Sequence, residues 1–268
     1  MAKGRTALAS GVALAFVVTA TAVHGTAGHG RSAGSPTSSL LAAAGGLPSP
    51  ERPAFVVGTP VRLRKGETPA RFAPVMREVE ARRRPSRSAS RVAELSGETP
   101  EGTTNIVLVL AGTTREDGQW VRVRLPVLPN GQTAWVPRRA LGGYQFVHTR
   151  LVVDRGRFTA TLFSDGHAVF HAAVGIGRPE SPTPSGDFHI RDKLSGFGNL
   201  FYGPIAYGTS AKSAVLTDWP GGGFIGVHGT NQPDLIPGRI SHGCIRMRND
   251  DILRLSHLMP VGTPLTIE

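Results

Sequence analysis

Residues 149–177 read "TRLVVDRGRFTATLFSDGHAVFHAAVGIG". Apolar and polar residues alternate through three runs, with "DRG" and "SDG" between them. Alternation of period two puts one face of a strand in a core and the other in water, and Asp and Gly are suited to tight reversals. The stretch therefore predicts strand, turn, strand, turn, strand. Toward the C-terminus no helical periodicity appears until "NDDILRLSHLM", residues 249–259. There Asn249 is the expected N-cap, Asp250 and Asp251 lie where the helix dipole favours negative charge, and Ile252, Leu255 and Met259 form an apolar stripe. Pro260 stops that helix, and "GTPLTI" closes the chain as a strand. The expected class is mainly β, a sandwich or barrel with one short helix near its C-terminal end and no βαβ repetition.

Toward the N-terminus, "NIVLVLA", "QWVRVRL" and "TAWVP" are further strand candidates, separated by "GTTREDG" and "PVLPNGQ". Three or four short strands here predict a small barrel over residues 92–146. Its ending, "QTAWVPRRAL", resembles the last strand and helical turn of bacterial Src-homology-3-like (SH3-like) modules. Residues 26–91 read as a linker, rich in Gly, Ser, Ala and Pro up to Pro53 and then basic. The run "REVEARRRPSRSASR", Arg77 to Arg91, holds six arginines against two glutamates. The chain opens with Lys3 and Arg5 followed by an apolar run from Ala7 to Val23. That is the layout of a secretory signal, or of an uncleaved membrane anchor, over residues 1–25. Both versions place the protein outside the cytoplasm, in the cell wall or secreted. In an exported chain the arginine run reads as a tether for anionic polymer or lipid headgroups rather than a grip on nucleic acid.

Compartment decides how the one cysteine in 268 residues is read. A single thiol cannot form an internal disulfide, so stability has to come from the core. Cys244 lies in "GVHGTNQPDLIPGRISHGCIRM", residues 226–247, with His228 and His242 beside it. A buried structural cysteine would have apolar neighbours, whereas here they are Ser241, His242, Gly243 and Arg246. A zinc site on His228, His242 and Cys244 would need a fourth ligand such as His189, His257 or Asp218. A nucleophilic thiol with an imidazole to raise its thiolate fraction fits the composition best. The glycines of "VGIGRPE" follow a strand but precede no helix, which excludes a dinucleotide loop.

The segment "IGVHGTNQPDLIPGRISHGCIRMRNDDI", residues 225–252, resembles the catalytic segment of the YkuD-type L,D-transpeptidases. That pattern is a histidine, a loop, then Ser or Thr, His, Gly, Cys, one residue and Arg. The resemblance covers residues 147–268 and takes in "TPSGDFHI", "YGPIAYGTSAKS" and "LMPVGTPLTI". It implies a Cys244 nucleophile with His228 as proton partner, and His242 positioning or polarising the pair. It also implies backbone N–H groups of Gly243 and Cys244 as an oxyanion hole, Ser241 orienting His242, Arg246 holding a substrate carboxylate or bracing the loop, and Tyr202 lining the cleft. The implied substrate is a peptidoglycan stem tetrapeptide, acylated onto the thiol with release of D-alanine and transferred to form a 3-3 cross-link. No cofactor or metal is implied, and carbapenems are the implied covalent inhibitors. A carboxypeptidase, a transferase anchoring protein to peptidoglycan and a non-catalytic wall-binding protein are the other readings. The segments "SGFGNLFYGP" and "DWPGGGFIG" are expected to wall the cleft.

Overall fold

A computed structural model describes residues 69–196, 200–216 and 222–268. The expected signal segment, most of the linker, Asp218 and parts of the two cleft-wall segments lie outside the described residues. Two β-sheets, both within one compact unit, make up the fold. The first comprises β1 (Ala70–Pro74), β2 (Val79–Arg82), β3 (Arg91–Leu95), β4 (Ile106–Arg115), β5 (Gly118–Arg124), β6 (Thr133–Pro137) and β7 (Gln145–Val147), in the order β3-β2-β6-β5-β4-β1-β7. The three expected strand runs are β4, β5 and β6. Alternation in β5 works as the sequence suggests: Val121 and Val123 enter a core with Val107, Val109 and Val136, while Arg122 and Arg124 turn away.

Two expectations are corrected in this sheet. It has seven strands rather than three or four, and the linker does not extend to residue 91. β1 and β2 come from that segment, and β3 starts on its last residue. The arginine run is a hairpin, because Ala81 supplies a buried apolar face and the arginines in the ladder have glutamate partners. Glu80 lies opposite Glu94 and Arg82 opposite Arg91, while Arg82 pairs with Glu80 and Arg91 with Glu94. Such pairing relieves the like-charge cost of facing residues.

The second sheet comprises β8 (Thr149–Asp154), β9 (Thr159–Ser164), β10 (His167–Ala173), β11 (Gly175–Gly177), β12 (Gly186–Ser195), β13 (Ile205–Lys212), β14 (Phe224–His228), β15 (Gly238–Ser241), β16 (Ile245–Arg246) and β17 (Pro264–Ile267). Its order is β10-β9-β8-β17-β12-β13-β14-β16-β11-β15. The opening stretch forms β8, β9 and β10, with Leu151, Val153, Ala160, Leu162 and Phe170 buried in one core. One helix, α1 (Asn249–Leu258), adds Ile252 and Leu255 to that core, and Met259 follows them in. Among the described residues the mainly-β expectation with one short α-helix therefore holds. The cap does not: Arg248 occupies the N-cap position without a side-chain cap bond, while the Asn249 Oδ1 accepts a hydrogen bond from the Thr230 N–H at 2.9 Å.

The sheets touch along two lines. The apolar outer face of β1, β4 and β7, with Phe72, Ile106 and Leu108, packs on Val261. Polar links then join the sheets, among them Arg124 Nη1 donating to the Asp187 carbonyl at 2.7 Å.

Candidate active site

β14 and β16 run parallel, with Val227 beside Ile245 and His228 beside Arg246. That register carries Cys244, the residue before β16, to the side of Gly226. The Gly226 N–H points at the Cys244 Sγ, 3.3 Å away. A Cβ built on Gly226 would sit 3.6 Å from the His228 Cδ2 and 3.8 Å from that sulfur, so thiol and imidazole both border a position that carries no side chain. His228 and Cys244 also line one cavity, together with Tyr202, Ser213, Phe224 and His242.

His228 is 1% exposed, and its Nδ1 lies 2.6 Å from the Gly229 carbonyl oxygen. A carbonyl only accepts, so Nδ1 carries the hydrogen and the neutral ring keeps Nε2 as a bare acceptor. That Nε2 is buried and has no partner among the described residues. Burial pushes the imidazole down to about 4, against the bond to Gly229 and with some help from the Arg246 charge. Burial likewise pushes the Cys244 thiol up, opposed by the Gly226 N–H and by Arg246. Burial thus opposes the charged form of both groups in the free protein. Dehydration of both groups costs more than their neighbours return.

The turn that presents the thiol is locked by two hydroxyls. Ser241 Oγ donates to the Cys244 carbonyl at 2.6 Å and accepts the Gly243 N–H at 3.1 Å. Thr183 Oγ1 donates to the Gly243 carbonyl at 2.6 Å and accepts the Gly177 N–H at 2.8 Å. Gly243 has φ +118°, and a Cβ there would fall 2.9 Å from Ile225 Cδ1, so the turn requires glycine. Ser241 thus braces the backbone of the turn, and the Gly243 N–H is already spent on Ser241, which leaves the Cys244 N–H as the oxyanion candidate.

His242 is exposed at the rim of the same cavity. Tyr202 stands edge-on to His228 with ring centroids 5.0 Å apart, and Phe201 lies 6.1 Å from it. Arg246, 3% exposed, stacks 4.4 Å over Phe201 and donates to Gln232 Oε1 at 3.3 Å. It braces the loop between His228 and Ser241. His189 is buried against the Ile106 carbonyl, and His257 is exposed on α1. Neither lines the cavity. Among the described residues no three His, Cys, Asp or Glu side chains gather at metal-binding range.

Sequence reasoning missed Gly226, the Gly229 carbonyl, Thr183 and Asn249. Thr183 stands in the quoted "TPSGDFHI", but nothing local says that its hydroxyl faces a turn 60 residues on.

Comparison with known proteins bears on the second sheet. Residues 148–267 match the family model described as the L,D-transpeptidase catalytic domain, YkuD. A Bacillus subtilis protein named as the L,D-transpeptidase YkuD is 32% identical over 117 residues, covering 44% of this chain and 64% of that relative. The Escherichia coli protein named L,D-transpeptidase YbiS is 50% identical over 42 residues, 16% of this chain and 14% of that relative. The chain thus spans less than two thirds of the length of these relatives. An L,D-transpeptidase structure from Mycobacterium tuberculosis H37Rv is 16% identical with a TM-score of 0.41, covering 61% of this chain and 90% of that one.

Proposed function

We propose that this chain is a cysteine acyltransferase of the L,D-transpeptidase kind, acting on peptidoglycan stem tetrapeptides. The observation that carries the chemistry is the neutral His228, its Nδ1 fixed by Gly229 and its Nε2 bare, on the cavity that Cys244 also lines. The family match of residues 148–267 supports the substrate class. Sγ attacks the carbonyl carbon after the third stem residue while its proton passes to Nε2. The oxyanion that forms is met by the Cys244 N–H. Collapse breaks the C–N bond, the imidazolium returns its proton to the departing D-alanine amine, and a thioester remains on Cys244. An amine from a second stem then gives its proton to Nε2, attacks the thioester and expels the thiolate, which is reprotonated. The product is a bond between two third-position residues, and the cycle uses no cofactor.

His242 at the rim and Tyr202 against His228 are proposed to contact the incoming stem. The charged opening and apolar run at residues 1–25 support export to the wall. A carbapenem ring, strained and carbonyl-bearing, would acylate the same sulfur.

The test is intact mass with a stem tetrapeptide. A tripeptidyl adduct and free D-alanine are expected from the wild type, with cross-linked dimer as acceptor rises. Cys244→Ala should give none of these while remaining folded. Pentapeptide stems should be poor donors. Free tripeptide as the sole product at high acceptor concentration would make the protein a carboxypeptidase; turnover by Cys244→Ala would remove the enzyme reading altogether.

A further inference from the structure

One wall of the cavity is held at both ends from the other sheet. At its start, Asn130 of the loop between β5 and β6 grips the backbone of Lys212, the last residue of β13. Its Nδ2 donates to the Lys212 carbonyl at 2.7 Å, and its Oδ1 accepts the Lys212 N–H at 3.0 Å. The amide side chain thus pairs with β13 as a further strand residue would. The next residue, Ser213, lines the cavity. At the far end stands Phe224, also lining the cavity, with the Arg191 guanidinium 3.8 Å from its ring centroid and the Lys212 ammonium 4.6 Å from it. Arg191 is 2% exposed, and its ion-pair partner at 3.2 Å is Glu101, from the turn before β4 in the first sheet.

A buried guanidinium has to be paired, and a second carboxylate, Asp192, lies 4.0 Å away. Asp192 cannot do the work alone: one of its oxygens is committed to the Gly208 N–H, and burial together with Glu101 pushes its carboxyl up. Glu101 therefore sets where Arg191 sits, and Arg191 sets the plane of Phe224. Pro100, next to Glu101, comes within van der Waals range of a Cβ built on Gly222.

We propose that Asn130 and Glu101, on the N-terminal sheet, are positioning residues for the substrate cleft, fixing the wall formed by Ser213 and Phe224 against the thiol. This deepens the transpeptidase reading and rests on it for its catalytic consequence. The first sheet is then part of the catalytic unit rather than a separate binding module. The nucleophile itself is untouched, because Cys244, His228 and their supports belong wholly to the second sheet.

The full-length protein is compared with Asn130→Ala and Glu101→Ala through three readouts. Alkylation of Cys244 by iodoacetamide, which needs no wall, should stay within about twofold of wild type. Acylation by the stem tetrapeptide should fall about 10- to 100-fold, the scale expected when a reacting group is misplaced by about 1 Å. Hydrogen exchange at the Lys212 amide should quicken in Asn130→Ala, with β8 and β9 unchanged. Glu101→Gln keeps an acceptor oxygen and should recover part of the acylation rate without the charge. A loss of alkylation equal to the loss of acylation would mean general destabilisation and overturn the proposal, as would unaltered acylation in both variants. If the wild type takes no acyl group from the tetrapeptide, the functional reading fails on its own, and the wall-positioning inference is then decided by the exchange at Lys212.

Discussion

At the scale of single residues, the imidazole of His228 shows what burial does to acid-base chemistry. Its ring is held at about 4, so a bare Nε2 persists well below the ordinary histidine range. The rate of acylation should therefore show no inflection at pH 6.5 and should fall only as the pH approaches about 4, read from the initial rate of D-alanine release. Above neutrality it should rise as the thiol, held high by burial, ionises. His228→Gln should slow acylation by about 100- to 10,000-fold, the range of general-base catalysis. Stability carries the same signature. Below pH 6.5 the unfolded chain protonates its histidines, while buried His228 and His189 refuse protons until about 4 and about 3. The unfolded state then binds more protons, so these two groups make stability fall as pH drops from 6.5 toward 3, a trend that raised Asp192 opposes at the acid end. His189→Asn should flatten the denaturation midpoint over that window. Cys244, His228 and Tyr202 were legible as residue types in a telling arrangement. The Gly229 carbonyl was not, because a backbone acceptor has no letter of its own.

At the scale of elements, the thiol is held by hydroxyls that bridge distant strands. Thr183 joins the end of β11 to the Ser241–Cys244 turn, and its loss would leave the Gly243 carbonyl and the Gly177 N–H unpaired and buried. Thr183→Val should cost about 1–3 kcal/mol for each orphaned group, measured by denaturant unfolding. It should also slow acylation more than Thr183→Ser, which keeps the hydroxyl. The strands β8, β9 and β10 were readable because one face of each is buried and alternation records it. Helix α1 was readable from its stripe, but its cap was misjudged. Asn249 has the chemistry of an N-cap, and the fold spends that oxygen on Thr230, one residue past Gly229, where it steadies the strand end that carries His228. Local propensity cannot see a partner 19 residues away.

At the scale of the whole molecule, the boundary of the first sheet was the least legible feature. Arginine density from Arg77 to Arg91 suggested a solvated tether, yet Glu80 and Glu94 pair with Arg82 and Arg91 in the ladder and Ala81 anchors it. A fragment beginning at residue 92 removes β1, β2 and the start of β3, exposing Val107, Val109 and Val136. It should be aggregation-prone and lack a cooperative unfolding transition, whereas a fragment beginning at residue 69 should unfold as one unit with full acylation. Circular dichroism melts and size-exclusion chromatography of the two distinguish them. The parallel pairing of β14 with β16 has a different consequence. Since the register of β14 with β16 brings Cys244 alongside Gly226, the exposed stretch of the intervening segment around Asp234 is open to redesign. Two extra residues between Asp234 and Leu235 should leave thiol acylation intact, while one extra residue between Gly226 and His228 should turn the imidazole to the opposite face and silence the enzyme.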